Sequence, residues 1–228
     1  MQPNNIFLVC KSGGDFNFQD VELLVTHIKK ECSVPVNIYC LYDKVSTPLK
    51  LKDVTLLPFE HNDWPGWWGK LDLFSPALEQ YRPFLYFDLD TAIVGDIAKF
   101  FQVGENESAF INLSDFYKPV KTLANAIMWI PANNEKVQKV WDKWIESPTR
   151  NMGIHRRGDM FFIGSVVETD LYWQDITDKI SSFKPRVNRK IEWLKELPEH
   201  LAVVCFHGKP RIREAQRIDW IYKYIKNI

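Results

Sequence analysis

The chain has 228 residues, 46% of them hydrophobic, enough for one folded core that removes roughly 70–75% of the unfolded surface from water without help from disulfides or a structural metal. With 29 Lys and Arg against 29 Asp and Glu, no net field draws in nucleic acid or an anionic membrane. Cys10, Cys32, Cys40 and Cys205 form no Cys-x-x-Cys pair, which speaks against a zinc knuckle and for a reducing, cytoplasmic setting.

The first apolar run, residues 6–10, is too short for a signal-peptide core or a membrane span, and no later run is longer than a buried strand or helix requires. Residues 5–10 read as a buried strand ending in Lys11-Ser-Gly-Gly-Asp15, a loop free to take positive φ. Val21, Leu24, Val25 and Ile28 recur at helical spacing over residues 20–30, and residues 36–41 then form a second buried strand. A third strand is expected over 54–59 and a short helix over 67–78, led in by Pro65 and Gly66. Residues 83–88 form an all-apolar strand that runs straight into carboxylates. Residues 92–94 continue extended, 97–101 make a helical turn, and 108–113 and 126–130 are further strands. The clearest helix is 133–146, with Val137, Val140, Trp141, Trp144 and Ile145 on one stripe. A helix over 159–168, a last apolar strand over 201–206 and a polar C-terminal helix complete the pattern, with no internal repeat or linker-like stretch. Strands alternating with helices imply an α/β sheet, parallel at least through its first half. In such sheets ligands bind beyond the carboxyl ends of the strands, where residues 11–15, 88–90 and 207–209 all fall.

Asp88-Leu-Asp90 is the sharpest local feature. Two carboxylates at a strand mouth repel each other where water is partly excluded, and a divalent cation is the natural neutraliser; a turn capped by Asp side chains is the plainer alternative. The same strand also invites a reading as a phosphatase of the haloacid dehalogenase type, whose strand ends in Asp-x-Asp-x-Thr or Val. Here the fifth position is Ala92 and three strands precede the motif, where that family places it after the first. Cys205-Phe-His207-Gly-Lys209-Pro210 follows another apolar strand; His207 offers an imidazole to a metal, Gly208 a close backbone approach and Lys209 a point charge for phosphate.

Taken in order, Val9-Cys-Lys-Ser-Gly-Gly-Asp15, Gly66-Trp-Trp-Gly-Lys-Leu-Asp-Leu-Phe74, Leu85-Tyr-Phe-Asp-Leu-Asp-Thr91, Gly158-Asp-Met-Phe-Phe162 and Cys205-Phe-His-Gly-Lys-Pro210 resemble the motifs of GT-A fold glycosyltransferases of the glycogenin and lipopolysaccharide galactosyltransferase group. The resemblance covers nearly the whole chain. It implies an α/β GT-A fold, a Rossmann-like nucleotide-binding half with a mixed central sheet flanked by helices. The chain is then one domain over residues 1–228, with that half over about 1–95 and an acceptor half over about 96–228.

The resemblance makes Asp88, Asp90 and His207 ligands of Mn²⁺ or Mg²⁺, which holds the diphosphate of a nucleotide-sugar donor, expected to be UDP-linked. It makes Lys209 a diphosphate contact and Lys70 a contact to donor sugar or phosphate. Lys11, Ser12 and Asp15 resemble the segment that wraps the nucleoside, and Asp43 is a further candidate for base or ribose. Asp159 stands where relatives carry Gly-Asp-Gln, beside the reacting sugar; Met160 replaces the Gln, and the alternative for Asp159 is a helix N-cap. Asn125 offers an amide to a sugar hydroxyl, as Asp115 offers a carboxylate, whereas Ala126 replaces a family Gly and narrows the space. Trp64, Trp67 and Trp68 serve either acceptor stacking or packing. The expected activity is metal-dependent transfer of a sugar to a glycan or small acceptor; the alternatives are the phosphohydrolase above and a non-catalytic nucleotide-sugar binding module.

Overall fold

A computed structural model describes residues 4–43, 51–103, 106–187 and 190–226. The first part runs β1 (Asn5–Cys10), α1 (Phe18–Glu31), β2 (Asn37–Tyr42), β3 (Thr55–Pro58), β4 (Phe84–Phe87) and β5 (Thr91–Ile93), with two successive 3₁₀ segments, Gly66–Phe74 and Pro76–Tyr81, between β3 and β4. Next come β6 (Ile111–Ser114), β7 (Leu123–Ile130), α2 (Glu135–Glu146), α3 (Pro148–Ile154) and α4 (Asp159–Val166). The rest is β8 (Leu171–Tyr172), α5 (Trp173–Ile176), β9 (Ile180–Ser182), β10 (Arg186–Val187), β11 (Lys190–Ile191), β12 (Val203–Cys205) and α6 (Asp219–Lys226).

Among the described residues the main sheet has seven strands in the order β3-β2-β1-β4-β7-β6-β8. β3, β2, β1 and β4 are mutually parallel, as the strand and helix alternation predicts; β7 then runs antiparallel to both β4 and β6. Alternation along each strand feeds two cores. In β1, Ile6, Leu8 and Cys10 face one side and Phe7 the other; in β4, Leu85 and Phe87 join the first core and Phe84 and Tyr86 the second. Both faces are covered, which is why these strands read as unbroken apolar runs.

α1 closes the first face with Val21, Leu24, Val25 and Ile28, its start fixed by a reciprocal cap between Asn17 and Asp20. α2 closes the second through Val137, Val140, Trp141 and Trp144. Ile145 is 41% exposed instead, because at 100° per residue it lies about 90° from the centre of that stripe. The helix expected over 67–78 is two 3₁₀ segments: Pro76 has no N–H to give and drives Ser75 out of the helical basin, to ψ 139°.

β5 does not extend the main sheet. It pairs antiparallel with β12, which pairs parallel with β9 in a three-stranded sheet. α6 anchors this second sheet: Tyr224 Oη accepts from the Ile93 N–H at 3.2 Å, and its carbonyl bonds His27 Nε2 of α1 at 2.7 Å. Among the described residues no helix is long and apolar enough to cross a membrane.

Candidate active site

A cavity of about 530 Å³ opens beyond the carboxyl ends of β1 and β4. Lys11, Asp15, Lys70, Asp88, Asp90 and Asp159 of the sequence-derived candidates line it, together with Trp67, Tyr86, Arg157 and Arg211.

Its floor is a buried ion bridge. The all-buried stretch from Trp68 to Phe74 carries Lys70 under the end of β4, where Nζ sits 2.9 Å from Asp88 Oδ1 and 3.4 Å from Asp159 Oδ2. Burial alone would lower the pKa of this ammonium; the charges of Asp159 and Asp88 outweigh it and hold the group above its ordinary value. Tyr86 lies two residues before Asp88 on the same strand face, and its hydroxyl donates to Asp88 Oδ1. Asp159 is the first residue of α4 and not its cap; the cap position is Gly158, at φ 113°.

Asn125 meets Asp159 because β7 is irregular there. The register with β6 shifts between Asn112 and Ser114, and Asn125 takes φ 52°, a left-handed conformation that Asn tolerates better than most residues. Its Nδ2 then donates to Asp159 Oδ2 at 3.2 Å while its Oδ1 accepts from Asn112 Nδ2 at 2.8 Å. Both amides are buried.

The loop after β1 forms a second wall. Asp43, at the end of β2, accepts from the Ser12 N–H at 3.1 Å and from the Ser12 hydroxyl, and Lys11 Nζ lies 3.4 Å from it. These three candidates therefore meet in the structure. Asp15 is tied across the mouth by Arg211, whose Nη2 donates to Asp15 Oδ2 at 2.9 Å and whose Nη1 donates to Asp90 Oδ2 at 2.6 Å, with the guanidinium 4.7 Å above Phe16. Burial, then repulsion from Asp88, push the Asp90 carboxyl up to about 7 despite Arg211 and Lys70.

Six candidates do not line the cavity: Ser12, Asp43 and Asn125 stand behind its lining in the contacts above, and His207, Lys209 and Asp115 have other surroundings. His207 Nε2 lies 3.1 Å from Ser182 Oγ, and its ring contacts those of Phe116 and Tyr117. Burial, with Lys184 adding, lowers its pKa to about 4, so the ring is neutral at pH 7. Lys209 Nζ pairs with Glu214 at 2.6 Å and is 65% exposed. Asp115 accepts from the Tyr117 N–H at 2.8 Å.

Among the described residues, no group of three or more His, Cys, Asp and Glu side chains is placed to hold a metal ion. The donor chemistry nevertheless fits a divalent cation: two crowded carboxylates, each already matched by a positive partner, and the His207 imidazole two residues beyond the end of β12.

Sequence reading passed over Arg211, Arg157, Tyr86 and Asn112. Alternation back from Asp88 points to Tyr86. Arg211 shares a basic run with Lys209, but no periodicity says which cation of an irregular segment turns inward.

No protein-family model and no curated protein matches this sequence. Solved structures do match its architecture. The glycosyltransferase GlyE of Streptococcus pneumoniae TIGR4 matches with a TM-score of 0.68 at 11% identity, over 99% of this chain and 60% of that one. The galactosyltransferase LgtC, in complex with donor and acceptor sugar analogues, matches with a TM-score of 0.63 at 9% identity, over 98% of this chain and 96% of that one. An active-site mutant of LgtC gives 0.66 at 10%, over 97% and 94%. At these identities the shared property is the architecture, and the chain has the GT-A fold of these glycosyltransferases.

Proposed function

We propose that this protein is a glycosyltransferase that moves a sugar from a nucleotide diphosphate donor, UDP-linked, to an acceptor hydroxyl. The observation that carries the reading is the cavity at the carboxyl ends of β1 and β4, which brings Lys11, Asp15, Lys70, Asp88, Asp90 and Asp159 together within a GT-A fold. Lys11, Ser12, Asp15 and Asp43 hold the nucleoside. Asp88, Asp90 and His207 are the residues that would hold Mn²⁺ or Mg²⁺, which when bound supplies positive charge to the diphosphate.

Transfer breaks the bond between the anomeric carbon and the β-phosphate oxygen, forms a bond from the acceptor oxygen to that carbon and releases the acceptor's proton. Negative charge grows on the leaving diphosphate, and Arg211 and Lys70 are fixed cations beside it. Lys209 joins them once phosphate replaces Glu214 as its partner. Asp159, with Oδ2 engaged by Lys70 and Asn125, has Oδ1 to accept from a sugar hydroxyl and so orients the reacting ring. Asn125, buried behind Asp159 with both amide atoms engaged, positions that carboxylate, and Asp115 stays outside the lining.

The test is release of UDP from a panel of UDP-sugars in Mn²⁺. Slow hydrolysis without acceptor is expected from the wild type and none from Asp90→Ala, whose metal-dependent UDP binding is also largely lost while its fold survives. Near wild-type turnover by Asp90→Ala would remove the metal assignment, and failure of every UDP-sugar to bind would remove the reading itself.

A further inference from the structure

Three tryptophans in the segment before Lys70 have different fates. Trp64 and Trp68 are 2% and 6% exposed and pack on Trp144, each with ring centroids 5.1 Å away. Trp67, between them, is 57% exposed and lines the cavity. The core is filled by its neighbours, so packing does not account for it.

Its indole is nonetheless held in place. A Cβ built on Gly158 would lie 3.3 Å from Trp67 Nε1 and 3.4 Å from Cε2, so the ring rests against the backbone that leads into Asp159. Gly158 at φ 113° suits only glycine, which keeps that surface bare. One flat apolar face thus stands beside a carboxylate, with Arg157 and Lys70 in the same lining.

We propose that Trp67 is the platform of the acceptor subsite, and that the acceptor is a saccharide. This rests on the transfer reading above. A pyranose has an apolar C–H face to lay on the indole and a rim of hydroxyls for Asp159 and Arg157. A lipid chain would need a continuous apolar groove, whereas eight charged side chains interrupt this lining. A nucleobase would also stack on an indole, but the nucleoside is assigned to the loop after β1.

The experiment is saturation-transfer NMR with methyl β-D-galactopyranoside, methyl β-D-glucopyranoside and lactose, in the presence and absence of UDP, on wild type, Trp67→Ala and Trp67→Phe. At least one glycoside should bind wild type and Trp67→Phe, with transfer concentrated on the C–H protons of one ring face. Trp67→Ala should weaken that binding about tenfold or more, the scale of a lost aromatic contact, with UDP affinity unchanged. The platform is overturned if none of the glycosides binds wild type, if Trp67→Ala binds them equally, or if Trp67→Ala loses UDP, which would make the indole a nucleobase shelf. Glycoside binding that depends on Trp67 in a protein that takes no UDP would leave the platform standing and remove the transferase reading.

Discussion

Two cations each bridge a pair of carboxylates in the cavity, and they are built differently. Lys70 is carried on a segment buried on every side, has a side chain 9% exposed and joins Asp88 to Asp159. Arg211 lies on the irregular stretch after β12, is 22% exposed and joins Asp90 to Asp15, itself 52% exposed. The buried bridge cannot be opened without stranding a charge in a poorly solvated place, so it belongs to the fold as much as to the site. The clamp at the mouth is screened at its Asp15 end, where the partner can be exchanged for a ligand at little cost, while its Asp90 end is 15% exposed. The floor is fixed, and the mouth can adapt.

The largest effects should come from the floor. Lys70→Met leaves Asp88 and Asp159 facing each other without their cation and should cost about 3 kcal/mol of stability and nearly all transfer. Urea midpoints beside initial rates of UDP release measure both, and a variant as stable as wild type would put the two bridges on one footing. Asp159→Asn keeps the shape of the floor but removes one charge. Transfer should fall roughly a hundredfold with UDP affinity hardly changed, whereas normal transfer would leave Asp159 a structural partner of Lys70.

At the mouth the effects should be smaller and fall on binding. Arg211→Met should weaken UDP about tenfold, the scale of one lost charge-assisted contact, and cost less stability than Lys70→Met because Asp15 is exposed. Lys209→Met should weaken UDP less, because phosphate must first displace Glu214. Isothermal titration of both variants sets the order, and a larger loss from Lys209 would make that residue the principal contact.

The smallest effect concerns the anchor of the segment that carries Arg211. His27 is buried, stacks on Tyr224 with centroids 3.6 Å apart and faces Lys30 and Glu31 on its own helix; burial holds its imidazole below the ordinary 6.5. The unfolded chain therefore takes up this proton first on acidification. The contribution of His27 is complete above pH 6.5 and declines as pH falls towards the folded-state value. His27→Gln, which can still donate to the Tyr224 carbonyl, should flatten the fall in thermal midpoint below about pH 6.5 relative to wild type. An unchanged slope would assign the loss to other groups.

Much of this architecture is written in apolar runs. β1 and β4 are legible because both faces of the parallel sheet are covered, and α2 because its tryptophans and valines repeat at helical spacing. The turn of β5 into a second sheet is not legible, since an extended apolar triplet does not say which sheet it joins. Nor are the two 3₁₀ segments: burial of every residue from Trp68 to Phe74 erases periodicity in the first, and the second is a short turn that buries only Leu78. At the site, strand ends point to Asp88, Asp90 and the loop after β1, and the structure gathers them with Lys70 and Asp159. It does not place Lys209, His207 or Asp115 in the lining, and side-chain direction on irregular backbone is the piece of information that a sequence lacks. The left-handed Asn125 is hidden for the same reason, because nothing in its neighbours announces a bulge.

Asp88 and Asp90 stand two residues apart but are fastened to different plates. The Asp88 N–H donates to the Ala126 carbonyl of β7 in the large sheet, whereas the Asp90 carbonyl accepts from the Phe206 N–H just beyond β12 of the small one, both bonds within 3 Å. The tripeptide is a seam, and the gap between its carboxylates works as a gauge of how the plates sit against each other. A ligand gripping both carboxylates acts as a rivet, so its grip should register in amide exchange along β5 and β12.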